Sequence, residues 1–142
     1  MKKYRIVIDT NVIVSAARSR KGASFKLIST LRENQFTFLL STPLVLEYEM
    51  VLKRDKIQKA FTFSEIEELI DIICLLGENQ RVWYLWRPLL GDANDDFIAE
   101  LAINAQADFI VTYNKKDFEP IRSFGVKLVS PKEFLDLLDQ KV

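Results

Sequence analysis

The amino-acid sequence predicts an α/β protein whose parallel sheet is covered by helices on both faces. Two observations carry that expectation. Short continuous apolar runs, Ile6-Val7-Ile8 and Phe109-Ile110-Val111, have the pattern of strands buried on both sides. Capped helical segments alternate with them along the chain. Size supplies a third: 142 residues, 49% hydrophobic and 11% aromatic, are enough for a substantial core. With no internal repeat, low-complexity tract or Pro/Gly/Ser-rich linker, a single domain is expected over 1–142.

Taken in order, Ile6–Ile8 forms the first strand and Phe36–Leu40 the second. Thr42-Pro43 starts a helix that carries Leu44, Glu47, Tyr48 and Val51 along one side. Ser64-Glu65-Ile66-Glu67 reads as a capping box, followed by Ile66, Leu69, Ile70 and Ile73 at helical spacing. Arg81-Val82-Trp83 is a weaker strand pattern. Asp92-Ala93-Asn94-Asp95-Asp96 opens a helix that continues through Phe97, Ile98, Leu101 and Ala102. Phe109–Val111 and Lys127–Val129 are further strands. Ser130-Pro131-Lys132-Glu133 is a second capping box, with proline at the first helical position and Phe134, Leu137 and Leu138 on the buried face.

Composition removes much of the enzyme catalogue. There is no histidine and a single cysteine, Cys74, so no Ser-His-Asp triad, Cys-His pair, zinc finger or intrachain disulfide can be built. Four glycines form neither GxGxxG nor GxxxxGK[ST]. Carboxylates without imidazole or thiolate suit hard cations, magnesium or manganese rather than zinc or copper. The apolar run after Met1 is too short for a signal peptide, and the apolar segment from Leu69 to Leu76 is broken by Asp71, so a soluble, cytoplasmic protein without membrane association is expected. Cys74, between Ile73 and Leu75, is expected as a small buried residue.

Acidic residues fall where an open α/β sheet binds ligands, beyond the carboxyl ends of its strands. Asp9-Thr10-Asn11 follows the first strand, and Thr112-Tyr113-Asn114 with Asp117 follows the Phe109–Val111 strand. Glu47 lies about one turn into the helix after the second strand, and Asp95 and Asp96 sit at a helix start. Four chain segments thus bring carboxylates to one edge, and crowded like charges call for a cation. Each acid also has an ordinary structural reading. Asp9, Asp95 or Asp96 could cap a helix, Asp117 a short turn. Glu47 could be a solvated helix residue, and Asp96 with Glu100 an exposed i, i+4 pair.

These motifs resemble the PIN domain family. Ile6-Val7-Ile8-Asp9-Thr10-Asn11-Val12 is similar to its opening motif, Asp92 through Ala102 to its central acidic motif, and Phe109 through Phe118 to its third. The resemblance runs from Val7 to about Phe134 and is strongest to the toxins of prokaryotic toxin–antitoxin pairs. It implies a three-layer α/β/α sandwich and a magnesium- or manganese-dependent endoribonuclease of the cytoplasm. Asp9 and Asp95 would be direct metal ligands, and Glu47 would bind metal directly or through water. The fourth acidic position falls at Asn114 or Asp117, because family members often carry aspartate where this chain has Asn114. Ala93 stands where proline is common and Asp96 where asparagine is common, which leaves Asp92 and Asp96 as additional acids of open role. Thr10, Asn11 and Thr112 would orient the carboxylates or the scissile phosphate. RNA as substrate, a cognate antitoxin and a homodimer are the implied partners.

The zero net charge conceals an asymmetry: residues 1–61 hold 12 basic and 5 acidic groups, residues 62–142 hold 8 and 15. Arg18, Arg20 and Lys21, with Lys115 and Lys116, are candidate contacts to RNA phosphates, or else solvated surface charges. Trp83, Tyr84 and Trp86 could stack bases, although core or subunit contacts suit them better. Two other functions stay open: a carboxylate-metal phosphohydrolase on another doubly wound fold, and a PIN-like RNA- or protein-binding module with weak or no activity.

Overall fold

Ile6, Val7 and Ile8 are fully buried, and the strand they form, β1 (Arg5–Ile8), is the centre of the sheet. In the computed structural model residues 3–54, 61–82 and 93–140 are described, Ala93 and Asn94 as backbone only. The remaining strands are β2 (Thr37–Leu40), β3 (Glu78–Asn79), β4 (Phe109–Val111) and β5 (Lys127–Val129). All pairings are parallel, in the order β3-β2-β1-β4-β5. The helices are α1 (Thr10–Arg18), α2 (Ala23–Ser29), α3 (Thr42–Leu52), α4 (Phe63–Leu76), α5 (Ala93–Asn104) and α6 (Pro131–Gln140), with 3-10 stretches at Thr30–Glu33 and Lys115–Phe124.

That order sets the layers. From β1 through β2 to β3 the chain steps across the sheet in one direction, and from β3 to β4 it crosses back past β1. Right-handed crossovers, the rule for parallel strands, therefore put α1 to α4 on one face and α5 with the Lys115–Phe124 stretch on the other. The packing agrees, since α5 contacts that stretch, β1 and β2, while α6 returns beside α2 and β5. This is the three-layer α/β/α arrangement the resemblance implies. The reversal makes the gap between the carboxyl ends of β1 and β4 the topological switch point, where open sheets bind ligands.

The two ends of the sheet are built differently. At the amino end Tyr4, Phe36, Phe109 and Phe134 form a cluster of edge-to-face rings, with centroids 5.1 Å apart for Tyr4–Phe109 and 5.3 Å for Phe36–Phe134. Such pairs add about 0.5–1.5 kcal/mol beyond the area they bury. At the carboxyl end the buried groups are polar: Asp9, Thr10, Ser41 and Thr112. Aromatic packing thus marks one end of the sheet and buried polar groups the other.

Several local expectations shift. The N-cap of α4 is Thr62, whose side chain accepts from the Glu65 amide while Glu65 reaches back to the Thr62 amide. The capping box thus starts two residues before Ser64, which lies inside the helix; Thr62 and Ser64 are each followed three positions on by a glutamate, and it is the Thr62–Glu65 pair that forms the box. The second box is as expected, with reciprocal bonds between Ser130 and Glu133 of 2.8 and 3.1 Å. The weak strand lies at Glu78–Asn79, paired with Leu39 and Leu40, rather than at Arg81–Val82, and Trp83 lies outside the described residues. It is a two-residue exposed edge strand with no apolar signature to read. Cys74 is exposed, because Ile66, Ile70 and Ile73 take the buried stripe of α4 and Cys74 lies about 100° further round from Ile73. Tyr84, Trp86 and Asp92 also lie outside the described residues. Among the described residues no helix is long and apolar enough to cross a membrane.

Candidate active site

Asp9 stands at the junction of β1 and α1. Its amide donates to the Val111 carbonyl of β4 at 2.9 Å, and its carbonyl starts α1 by accepting from Val12 at 3.0 Å. In position it is the N-cap of α1, yet its side chain makes no capping hydrogen bond. The carboxylate instead accepts from the Thr112 hydroxyl at 2.6 Å, across the switch point and 103 residues along the chain. Thr112, fully buried, also accepts from the Asn114 amide at 2.9 Å, which aims its single proton at Asp9. The capping role that sequence alone leaves open is therefore not what this side chain does.

Burial raises the Asp9 carboxyl from its ordinary 3.8 to about 6, with Glu47 and Asp117 adding to the rise. The Thr112 hydroxyl and the Thr10 amide act in the opposite sense and are outweighed. Three of the acids singled out in the sequence, Asp9, Glu47 and Asp117, thus lie within electrostatic reach of one another. Asp117 and Asn114 are both exposed, Asn114 at the N-cap position of the Lys115–Phe124 stretch and Asp117 within it.

Tyr48, which sequence analysis places only on the apolar face of its helix, anchors this corner. It is 1% exposed and its hydroxyl donates to the Ile8 carbonyl, one residue before Asp9. Burial, with Asp9 and Glu47 nearby, drives its ionisation well above the ordinary value, so it serves as a fixed neutral donor. The bond pins α3, and with it Glu47, against the end of β1. The only sequence signal for this is that Tyr48 directly follows Glu47.

Asp95 and Asp96 occupy the first turn of α5 rather than its N-cap, where their charge suits the helix dipole. Asp96 and Glu100 are each 3% exposed, so the expectation of an exposed i, i+4 pair does not hold. Crossing the covered face of the sheet, α5 buries both. Glu100 lines a pocket of about 240 Å³ with Ser41, Thr42, Arg81 and Phe97. It is a buried acid missing from the sequence-derived site, and its position one turn after Asp96 was the available signal.

The basic candidates divide by partner. Arg20 is bound to Glu65 at 2.6 Å and stacks over the Phe61 ring at 4.4 Å, and Lys115 is bound to Glu133 at 2.5 Å. Arg18, Lys21 and Lys116 have no ion-pair partner among the described residues. Arg18 lines a groove of about 410 Å³ together with Thr10 and Asn11. The Thr10 Oγ1 and Asn11 Oδ1 atoms are themselves buried, without a hydrogen-bond partner.

The donor set suits a hard divalent cation, since carboxylates, hydroxyls and an amide are all oxygen ligands. A cation would also counter the mutual repulsion that helps to raise Asp9. Among the described residues no three acids are grouped closely enough to hold an ion as they stand. A family model for the PIN domain matches residues 5–116. The chain belongs to the PIN domain family. PIN domains are generally nucleases and typically use divalent metal ions, in keeping with an oxygen-only site at the switch point. Thirteen solved chains match this PIN domain. One is from VapBC2 of Rickettsia felis bound to a DNA fragment from their promoter, with a TM-score of 0.59 and 19% identity over 88% of this chain and 97% of that one. At that identity the likeness is one of fold. No curated protein matches the sequence.

Proposed function

We propose that this PIN domain is a magnesium- or manganese-dependent endoribonuclease and the toxin of a type II toxin–antitoxin pair, with a cognate antitoxin and a second copy of the chain as its protein partners. The observation that carries the nuclease reading is the Asp9 carboxylate. It is buried at the switch point, turned away from its helix and towards Thr112, and raised to about 6 beside Glu47 and Asp117. Strongly perturbed carboxyls in such a place mark functional sites. The VapBC2 neighbour supports the toxin reading as an analogy of fold.

Asp9, Glu47, Asp95 and Asp117 would hold the ion, with Asn114 as a neutral oxygen ligand. A bound divalent ion supplies an acidified water and neutralises phosphate oxygens during in-line attack. Thr112 fixes the orientation of Asp9 by its 2.6 Å hydrogen bond, and Tyr48 fixes the backbone that carries it. With no histidine in the chain, these carboxylates and the solvent are what remain to take up protons. Asp92 and Asp96 keep no assigned role.

The test is manganese-dependent cleavage of a labelled RNA by the wild type, Asp9→Asn and Asp95→Asn. Both variants are expected to fold and to lose cleavage by at least about a hundredfold, the scale on which electrostatic catalytic groups act. Activity retained in both overturns the assignment. Asn114 and the exposure of Asp117 favour a second reading, a PIN module that binds RNA or protein without cutting. Calorimetry separates the two: a nuclease has a metal site that Asp9→Asn removes, and a binding module has none.

A further inference from the structure

The aromatic rings left largely exposed among the described residues are those of Phe63, Tyr113 and Phe124. The Lys53 ammonium stands 5.8 Å from the centroid of Phe63, and Phe124 ends the 3-10 stretch just before β5, towards the amino end of the sheet. Tyr113 is beside the acids, between Thr112, the partner of Asp9, and Asn114. Its backbone is fixed on both sides. The Thr112 amide donates to the Val129 carbonyl at 2.8 Å, and the Asn114 amide donates to the Thr112 hydroxyl at 2.9 Å. Its hydroxyl shares a hydrogen bond of 2.5 Å with that of Ser24, a fully buried residue of α2.

With its polar tip tied to a buried group, what Tyr113 shows to solvent is ring. It is 48% exposed, and among the described residues no other ring and no cation lies against it. An aromatic surface that faces solvent and is already immobilised suits a flat apolar ligand, because the side chain is ordered on folding rather than on binding. On a nucleic acid strand the flat groups are the bases, and stacking accepts any base on either sugar. Consecutive Cα atoms are about 3.8 Å apart, so the ring belongs to the residue next to the threonine that touches Asp9. A strand with a phosphate at the acids therefore brings an adjoining base to Tyr113. Purines offer more overlap than pyrimidines and gain more from it.

We infer that Tyr113, clamped by Ser24, is the stacking platform for the base beside the scissile phosphate and favours a purine at that position. The inference rests on the nuclease reading, because it is the acids that bring a strand to the ring. Tyr113 itself holds no ion and moves no proton, so base recognition and cleavage can be tested apart.

The experiment is fluorescence anisotropy in EDTA, so that no cleavage intervenes, with short strands of equal length made as oligoadenylate, oligouridylate and a fully abasic chain. All three carry the same phosphates. The wild type is expected to bind the base-bearing strands about tenfold more tightly than the abasic one, on the scale of one base stacked on an aromatic side chain, and adenylate about two- to threefold more tightly than uridylate. Tyr113→Leu is expected to remove both preferences while leaving affinity for the abasic strand in place, and Tyr113→Phe, which keeps the ring, to retain them. In manganese, a single abasic nucleotide is then walked along a strand that the wild type cuts. Cleavage is expected to fall about tenfold when it lies next to the cut, and Tyr113→Leu to be indifferent to its position. Equal wild-type binding of base-bearing and abasic strands overturns the inference, and so does a base preference that survives Tyr113→Leu. Equal weakening of all three strands by Tyr113→Leu also overturns it and leaves the ring a support for its loop. No change on any strand, with loss of self-association in sedimentation, overturns it in favour of a protein contact. If cleavage is lost in Asp9→Asn while no base preference depends on Tyr113, only the subsite fails. Cleavage that persists in both Asp9→Asn and Asp95→Asn, with the base preference intact, removes the nuclease assignment instead.

Discussion

Replacing Asp9 by asparagine should stabilise the metal-free protein at neutral pH, and by an amount that grows with pH. The carboxyl moves from 3.8 in the unfolded chain to about 6 in the fold, so the folded state holds its proton more tightly. Its contribution is fully favourable below pH 3.8 and is lost as pH rises through about 6. At about 1.36 kcal/mol per pKa unit, the native state at pH 7.5 bears a penalty of about 3 kcal/mol. At pH 4.5 the same relation leaves about 1 kcal/mol. Asparagine keeps an oxygen to accept from Thr112 and is an equally good N-cap residue, but carries no charge to desolvate or to repel Glu47 and Asp117. The assay is urea unfolding of wild type and Asp9→Asn in EDTA between pH 4.5 and 7.5. The stability difference, variant minus wild type, is expected to rise by about 2 kcal/mol across that range and then level off. Using the difference removes every other titrating group common to both proteins. Saturating manganese at pH 7.5 should stabilise the wild type alone, by about 2.7 kcal/mol at one hundred times its Kd. A difference that stays flat with pH, or falls, would refute the claim that burial holds the Asp9 carboxyl above its ordinary pKa.

Other substitutions probe the supports of the site. Thr112→Val removes both the donor to Asp9 and the acceptor for the Asn114 amide. It should raise the Asp9 pKa above 6, cost about 1–3 kcal/mol in urea unfolding, and move the acidic limb of the cleavage profile to higher pH. Gly77→Ala places a methyl 2.2 Å from Leu40 Cδ1 and 2.9 Å from the Ile73 carbonyl, where α4 meets the end of β2. A loss of about 1–3 kcal/mol by thermal or urea unfolding is expected, and a neutral result would show that Leu40 can repack at no cost.

Much of the architecture was legible because it is written in local patterns. Ile6–Ile8 and Phe109–Val111 are apolar throughout because both faces of a central parallel strand are covered, and the Ser130–Glu133 box marks the start of α6 without outside help. Features with weak or shifted local signals were harder to place. A two-residue edge strand at Glu78–Asn79 has no face to bury, and Cys74 between apolar neighbours is exposed because the helix phase follows Ile66, Ile70 and Ile73.

The sequence by itself determined the inventory: no histidine, one cysteine, four segments of acids, and strand–helix alternation that sends those acids to one edge of a sheet. Only the tertiary structure decided what each acid does there. A carboxylate after a strand has the same local sequence whether it caps a helix or faces a site, and the choice for Asp9 is made by Thr112, brought within 2.6 Å by the pairing of β1 with β4. Likewise, the burial of Asp96 and Glu100 depends on how α5 lies across the sheet. Hydrogen-bond choice and desolvation are set by neighbours far along the chain, and no local pattern contains them.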